Sequence, residues 1–436
     1  MIGYDKPART AGSPSLRDPH LLVIGLGYVG LPLAAEAARC GLTVAGYDPD
    51  RAVVSGLNAG RSHVGDVSGE DVRAMLAGRF LATDTEDAVG WPSAIVICVP
   101  TPLTGDNGPD LGAVMSAAAM AARRLRSGAL VVLESTTYPG TTEEVVRPVL
   151  EKGSGLTAGL DFSLAFSPER IDPGNPAYGI RNTPKVVGGV TPSCTEAAAA
   201  FYGQICDHVV RAASAREAEM AKLLENTYRH VNIALVNEMA IFCHELGVDL
   251  WDAIRCAATK PFGFQPFFPG PGVGGHCIPI DPNYLSYQVR RLGYPFRFVE
   301  LAQEINGRMP GYVVSRATEL LNRNFKPVNG SRVLLLGVTY KHDIADQRES
   351  PARPIARRLR ARGAVVSYHD PYVPEWLVDD EAIARAADLD AALAEADLAI
   401  LLPAHSCYDL AELAGSARLL LDTRGVVPSA PQVEAL

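Results

Sequence analysis

Leu21-Leu22-Val23-Ile24-Gly25-Leu26-Gly27-Tyr28-Val29-Gly30 sets a short apolar run directly against spaced glycines. An uninterrupted apolar run of this length reads as a parallel strand buried on both faces. The alanine-rich stretch Leu33 to Arg39, closed by Gly41, reads as a helix, and Thr43 to Tyr47 as a second strand ending on Asp48. Strand, glycines, helix, strand and acid in that order form a dinucleotide site. Gly25, Gly27 and Gly30 let the backbone approach a pyrophosphate, and Asp48 meets the ribose hydroxyls. An acid here favours NAD over NADP, although Arg51 nearby keeps NADP open.

Further strands follow. Ala94 to Val99 runs into Pro100-Thr101-Pro102, and Leu130 to Leu133 into Glu134-Ser135-Thr136-Thr137. Ligands of a doubly wound sheet lie beyond the carboxyl ends of its strands, so Thr101 and Thr136 are expected to face the cofactor. The alternative is that these hydroxyls cap local structure. Phe162 to Phe166 leads to Ser167-Pro168-Glu169-Arg170-Ile171, which puts a carboxylate and a guanidinium on the same rim. Ala213 to Leu246 then reads as one long helix. Its residues Glu219, Lys222, Asn226, His230 and Asn237 share a face, beside the apolar Leu223, Leu224, Val231, Leu235 and Met239. The polar stripe is either a solvated face or the wall of a site, and a helix of this length offers a dimer surface.

Past Pro310 the chain repeats its opening. Arg332 to Leu336 runs into Gly337, and Gly363 to Asp370 matches Gly41 to Asp48 at the same glycine-to-acid offset. The expected fold is α/β, two Rossmann-like doubly wound domains joined by a long central helix. The expected divisions are a loose tail at 1–19, a dinucleotide domain at 20–205, a central helical domain at 206–312 and a second Rossmann-like domain at 313–436. The second copy lacks the glycine fingerprint, having Val338-Thr339-Tyr340-Lys341 instead. Lys341 and Arg348 there suit the phosphates of a smaller nucleotide.

Between the copies lies Phe268-Pro269-Gly270-Pro271-Gly272-Val273-Gly274-Gly275-His276-Cys277-Ile278-Pro279-Ile280-Asp281-Pro282. Its prolines and glycines forbid helix and strand, and its bare backbone suits close approach to a ligand. Cys277, with His276 before it and Asp281 after, is presented as a covalent nucleophile; the alternative is an inert turn cysteine. A thiolate is what oxidation beyond an aldehyde requires, because the aldehyde must gain a nucleophile before it can release hydride. The totals agree with a nucleotide enzyme of the cytosol. The chain of 436 residues exceeds one core, its net charge of −9 argues against nucleic acid and anionic membrane, and its cysteines show no metal-like spacing. No apolar run is long enough to span a bilayer.

GLGYVG, CVPTP, ESTTYPG, SPERIDPG, the Lys222/Asn226 helix, GPGVGGHCIPIDP and YKHDIADQRESP together resemble the UDP-glucose/GDP-mannose dehydrogenase family. The likeness covers nearly the whole chain, and the cysteine loop is its most specific part. It implies Cys277 as nucleophile, Lys222 steadying an oxyanion or shuttling its proton, and Asn226 and Asp281 orienting substrate and water. Glu169 and Thr136 would position or activate water. It further implies NAD contacts from Gly25, Gly27, Tyr28, Val29, Gly30, Asp48, Thr101, Thr136 and Arg348. UDP-sugar contacts would come from Arg170, Ile171, Lys222, Asn226, Arg229, Gly272, Tyr340, Lys341 and Arg424. Neither a metal nor nucleic acid enters this scheme, and a homodimer through the central helix does. PFFPGPGVGGHCIPIDP with RFVELAQEINGRMPGYVV is similar to the branch acting on UDP-N-acetylhexosamines, with UDP-N-acetylglucosamine favoured over UDP-glucose and UDP-N-acetylmannosamine. His342 and Gln347 depart from the family's usual residues and bear on substrate fit. The rivals are a hydroxyacid-type dehydrogenase without a catalytic thiol, and a sensor that binds both ligands without turnover.

Overall fold

A computed structural model describes residues 18–436 except 105–107, 173, 174, 176, 276, 277 and 279. The chain forms two compact units, one reaching to Leu223 and the other running from Leu224 to Leu436. The first holds an eight-stranded sheet of β1 (Leu21–Ile24), β2 (Val44–Tyr47), β3 (Phe80–Thr83), β4 (Ala94–Ile97), β5 (Leu130–Leu133), β6 (Ser163–Phe166), β7 (Lys185–Gly189) and β8 (Val209–Arg211). Their order is β3-β2-β1-β4-β5-β6-β7-β8, and all pairs are parallel except β6 with β7. Period-two geometry explains why β1 must be apolar throughout. Leu21 and Val23 enter the core on one face of the sheet, Leu22 and Ile24 the core on the other. The strand order reverses between β1 and β4, which opens a crevice at their carboxyl ends.

The second unit repeats the plan with β9 (Arg332–Leu336), β10 (Val365–His369), a hairpin of β11 (Leu377–Val378) and β12 (Glu381–Ala382), then β13 (Ala384–Arg385), β14 (Leu398–Leu401), β15 (Leu420–Asp422) and β16 (Val433–Ala435). The parallel sheet has the order β13-β10-β9-β14-β15-β16. Val333 and Leu335 face one core, Leu334 and Leu336 the other. The long helix spans Ala215–Glu245, close to its expected ends.

The expected boundary at 312/313 falls inside a single helix, Arg297–Arg323, which continues through Pro310. A proline removes the amide that would bond the carbonyl four residues earlier, here Asn306. Gly272 packs at this place: a Cβ on it would stand 3.4 Å from the Asn306 carbonyl and 3.6 Å from the Pro310 ring. Packing on both sides, with Asn306 and Met309 buried, carries the helix past a residue that normally stops one.

Candidate functional site

The three fingerprint glycines have different tasks. Gly25 has φ +95°, and a Cβ there would stand 2.6 Å from the Cys98 carbonyl oxygen at the end of β4. A Cβ on Gly30 would lie 1.9 Å from the Gly25 carbonyl oxygen, so only glycine can begin the helix Gly30–Arg39 at that place. Gly27 has open space, with nothing within 4 Å of a built Cβ. It is the position through which a phosphate can approach bare backbone. The helix behind it has no acidic residue in its first turn and no side-chain cap from Val29, which suits an anion. Asp48 accepts the Leu26 amide on Oδ2 and the Asp50 amide on Oδ1, both at 2.9 Å, which fixes its carboxylate at the end of β2. Tyr28 is exposed beside this turn. These residues fit a dinucleotide.

Thr101 is buried, and its hydroxyl donates to the Thr136 carbonyl at 2.8 Å, joining two strand ends. Thr136 itself is half-buried.

Behind this rim lies a buried charge cluster that the sequence reading missed. Lys185, opening β7, places Nζ 3.0 Å from Glu134 Oε1 and 3.2 Å from Glu169 Oε2. Tyr202 donates its hydroxyl to Glu134, and Glu169 Oε1 accepts the amides of Arg170 (2.7 Å) and Ile171 (2.6 Å). Burial opposes ionisation of Glu169, but the charges of Lys185 and Lys222 and the Ile171 amide outweigh it and hold the carboxyl below its ordinary range. Burial raises Glu134, with Lys185 only partly offsetting it. For Lys185, burial is overcome by both carboxylates, so its pKa rises. The signal in the sequence was a lysine opening, and a glutamate closing, strands that are otherwise apolar.

On the long helix the polar stripe is the buried face: Glu219, Lys222, His230 and Asn237 are each less than a tenth exposed. Lys222 donates Nζ to the Glu169 carbonyl. Glu219 receives the amides of Gly140 (2.6 Å) and Thr142 (2.9 Å) and the Thr142 hydroxyl (2.7 Å). Arg170 turns its guanidinium to the Pro184 carbonyl at 2.8 Å. Of the apolar residues beside the stripe, Leu224 and Leu235 are 64% and 54% exposed.

In the second unit, Asn226 donates Nδ2 to Asp281 Oδ2 at 2.5 Å. Asp281 is fully buried at the start of the helix Asp281–Arg291, just beyond the cysteine loop. Cys277 itself lies outside the described residues, as does His276. The described part of the loop, Phe268 to Gly275, is held by a buried polar chain. Asn306 donates to the His230 carbonyl at 3.3 Å, Asn237 to Asn306 Oδ1 at 2.8 Å, and the Gly270 amide to Asn237 Oδ1 at 2.9 Å. The loop glycines approach protein rather than an open cleft. A Cβ on Gly270 would meet the Arg424 guanidinium at 2.8 Å, and on Gly274 and Gly275 the Tyr340 side chain at 2.7 and 2.8 Å. The Gly275 amide also donates to the Arg348 carbonyl at 2.9 Å.

This packing gathers Gly272, Tyr340, Arg348 and Arg424, all expected ligand contacts, around one loop. Arg348 forks onto Asp346 with its Nη2 2.6 Å from Oδ2. Arg424 is half-buried, donates Nε to the Leu402 carbonyl at 2.6 Å, and is pushed down to about 10 by desolvation. Lys341 is half-buried on the same segment as Tyr340, whereas Arg229 is exposed on the long helix. Among the described residues there is no cluster of acidic, histidine or cysteine side chains able to hold a metal, and no helix long and apolar enough to cross a membrane.

Comparison with known proteins supplies the rest. Residues 20–206 match the NAD-binding domain model of the UDP-glucose/GDP-mannose dehydrogenase family, 216–308 its central domain and 334–429 its UDP-binding domain. The cofactor is therefore NAD. The chain is 37% identical over 361 residues to UDP-N-acetyl-D-glucosamine 6-dehydrogenase of Pseudomonas aeruginosa, covering 82% of this chain and 84% of that one. It is 35% identical over 419 residues to UDP-N-acetyl-D-mannosamine dehydrogenase of Salmonella typhi, covering 93% and 98%. Its fold is similar to the solved UDP-D-ManNAc dehydrogenase of Pyrococcus horikoshii, with a TM-score of 0.86 at 32% identity over 95% of this chain and 98% of that one.

Proposed function

The chain belongs to the UDP-glucose/GDP-mannose dehydrogenase family, and on that premise we propose that it oxidises C6 of a UDP-N-acetylhexosamine to the carboxylate through a thioester on Cys277. The observation that carries the reading is the pairing of Asn226 with a fully buried Asp281 at the end of the cysteine loop, one helical turn on from Lys222. A buried carboxylate that is bonded to a neutral amide has a positional task, and here it closes the loop that presents the thiol.

NAD, when bound against Gly25, Gly27, Gly30 and Asp48, supplies a hydride acceptor twice per substrate. The residues of the chain do the remainder. Lys222 steadies the alkoxide oxygen or takes its proton as the alcohol becomes an aldehyde. The Cys277 thiolate adds to the aldehyde carbon and gives a thiohemiacetal, whose loss of a second hydride and the hydroxyl proton leaves the thioester. Water, to whose positioning the family likeness assigns Asn226, Asp281, Glu169 and Thr136, cleaves the carbon–sulfur bond, releasing the carboxylate and returning the thiol. Tyr340, Lys341 and Arg424 are assigned to the UDP-sugar, with Arg170, Ile171, Arg229 and Gly272. Arg348 and Tyr28 are assigned to NAD. The proposed division of labour assigns the glycine turn of 20–205 to the dinucleotide and the C-terminal domain to the UDP moiety.

UDP-N-acetylglucosamine is the favoured sugar, supported by the Pseudomonas aeruginosa relative; the Salmonella typhi relative supports UDP-N-acetylmannosamine as a second reading. A homodimer through the long helix is supported by Leu224, Tyr228, Leu235 and Phe242, which recur on one face and are each 46–64% exposed. A cytoplasmic setting is supported by the free thiols.

The test is NADH yield with UDP-N-acetylglucosamine, UDP-N-acetylmannosamine and UDP-glucose side by side. About two NADH per acetylated sugar are expected, with no uronate from Cys277→Ala. One NADH per sugar, or an active Cys277→Ala, overturns the thioester route; preference for UDP-glucose overturns the substrate alone.

A further inference from the structure

The glycine turn after β1 is held by more than the acid at the end of β2. His63 lies in the connection between the helices Arg51–Asn58 and Gly69–Ala77, outside the motifs that carry the family likeness. Its neighbours Val64 and Val67 are buried in the same core as Leu26 and Leu31, and Ser62 Oγ accepts the Val64 amide at 3.1 Å. The connection is thereby drawn against the turn, although His63 itself is exposed. From there its Nε2 reaches the Leu26 carbonyl oxygen at 2.9 Å. A carbonyl can only accept, so Nε2 is the nitrogen that carries the hydrogen.

The contact bears on one peptide plane. The Leu26 amide donates to Asp48 Oδ2 at 2.9 Å, the Leu26 carbonyl accepts from His63, and the Gly27 carbonyl accepts the Leu31 amide at 3.0 Å. In a trans peptide the carbonyl and the following N–H point to opposite sides. Holding the Leu26 oxygen toward His63 therefore turns the Gly27 N–H the other way, on a residue with nothing within 4 Å of a built Cβ. If the plane rolled over, the carbonyl would turn its negative end toward an approaching phosphate. Water could satisfy the same oxygen but would follow it as it rolled, whereas an imidazole anchored through Val64 and Val67 holds it in place.

We propose that His63 is a positioning residue for the dinucleotide: its Nε2–H fixes the Leu26–Gly27 peptide so that the Gly27 amide faces the pyrophosphate. His63 touches no reacting atom, so it acts on NAD binding and leaves the thiol chemistry alone. The inference deepens the reading above and rests on the assignment of this turn to NAD.

The experiment compares two variants of the full chain by calorimetry with NAD and with UDP. His63→Phe keeps a ring but has no donor, and His63→Gln carries an N–H at the same reach. His63→Phe is expected to weaken NAD about three- to tenfold, the range of one hydrogen bond, with UDP affinity within about twofold of wild type. In turnover the loss is expected in KM for NAD, with kcat at saturating NAD within about twofold. His63→Gln is expected to recover most of the NAD affinity. An NAD affinity in His63→Phe within about threefold of wild type overturns the proposal, because water then serves the carbonyl as well. Equal NAD losses in the two variants overturn it too, since the ring and not its N–H would matter. So does a loss of UDP affinity as large as that of NAD, which marks a general destabilisation. Gly27→Ala separates the proposal from its premise. If that variant binds NAD as wild type does, the pyrophosphate does not lie at this turn, and the premise and the proposal fall together. If Gly27→Ala loses NAD and His63→Phe does not, only the role given to His63 has failed. Should His63→Phe fail to fold by circular dichroism, His63→Ala, which removes the donor and adds no bulk, decides in its place.

Discussion

The two sheets begin alike and then part. After β1 the Gly25 amide donates to the Tyr47 carbonyl, and after β9 the Gly337 amide donates to the His369 carbonyl, both at 2.8 Å. The next amides, Leu26 and Val338, donate to Asp48 and Asp370 at 2.9 and 2.8 Å. Both copies therefore use the acid at the end of the second strand to tie down the first turn. The difference lies in what covers it. Asp48 stays half-exposed, whereas Asp370 is fully buried beneath His405, whose Nε2 is 3.2 Å away and whose Nδ1 accepts the Asp343 amide. In the first copy a helix begins at Gly30; in the second none begins until Ala352. The strand-end acid is thus a structural tie in both copies, and only in the first is it left open to a ligand. One copy is a dinucleotide site and the other has been closed into a scaffold for the segment that carries Tyr340 and Lys341.

The shared part of this comparison is the costliest to break. Gly337→Ala places a Cβ 2.3 Å from the Pro403 ring at φ +79°, and Gly25→Ala places one 2.6 Å from the Cys98 carbonyl oxygen at φ +95°. Strain and overpacking together give an expected loss of about 3–5 kcal/mol in either unit by urea unfolding. A loss below about 1 kcal/mol in one copy would show that the turns are not equivalent. The divergent part comes next. Asp370→Asn, which turns one of the two buried acceptor oxygens shared by Val338, Tyr372 and His405 into a donor, is expected to cost about 2–3 kcal/mol of stability and leave NAD affinity alone. Asp48→Asn is expected to do the reverse, weakening NAD at least about tenfold by calorimetry at a cost near 1 kcal/mol. Equal NAD losses from both variants would sink the distinction.

Much of this was legible in the sequence, for a physical reason. Fully apolar strands, glycines needed at positive φ and an acid at a fixed offset are local demands that each sequence segment must meet by itself. What escaped reading depends on distant segments meeting. Lys185, Glu134 and Tyr202 come from two strands and a helix, and Asn306 gains its task only because His230 and Asn237 lie beside it. The helix through Pro310 was not legible either, because the rule that proline ends a helix is local and packing around Asn306 and Gly272 overrides it. The loop glycines misled in another way. Their bare backbone was read as room for a ligand, but at Gly270, Gly274 and Gly275 it admits Arg424 and Tyr340 instead.

Two buried groups on the long helix, Glu219 near its start and His230 at its middle, extend the comparison to pH. Burial lowers His230 from 6.5 to about 4, so in the second unit its stabilising contribution is present above pH 6.5 and is lost as pH falls towards 4. Burial raises Glu219 from 4.5 to about 7, against the opposing donors of Thr142 and Gly140. In the first unit its contribution is therefore present below pH 4.5 and is lost as pH rises through 7. Each amounts to about 2–3 kcal/mol at its limit. Hydrogen exchange, corrected for intrinsic rates, should show protection of the Gly270 amide rising, and of the Gly140 and Thr142 amides falling, between pH 5 and 6.5. Slopes of the same sign would mean that these amides do not report on the two groups.

The smallest effect on stability is the sharpest on function. Gly27 differs from Gly25 and Gly30 in having nothing within 4 Å of a built Cβ and no positive φ. Gly27→Ala is therefore expected to change stability by no more than about 1 kcal/mol, and in the stabilising direction, since alanine narrows the unfolded ensemble. The methyl group nevertheless enters the space through which the turn would meet a pyrophosphate. NAD affinity is expected to fall about tenfold, whereas affinity for UDP, assigned to the other copy, should not move. Both are read by calorimetry on one sample. A variant that binds NAD as wild type does would show that the pyrophosphate does not approach at Gly27, and the open turn of the first copy would then need another explanation than the one that separates it from the second.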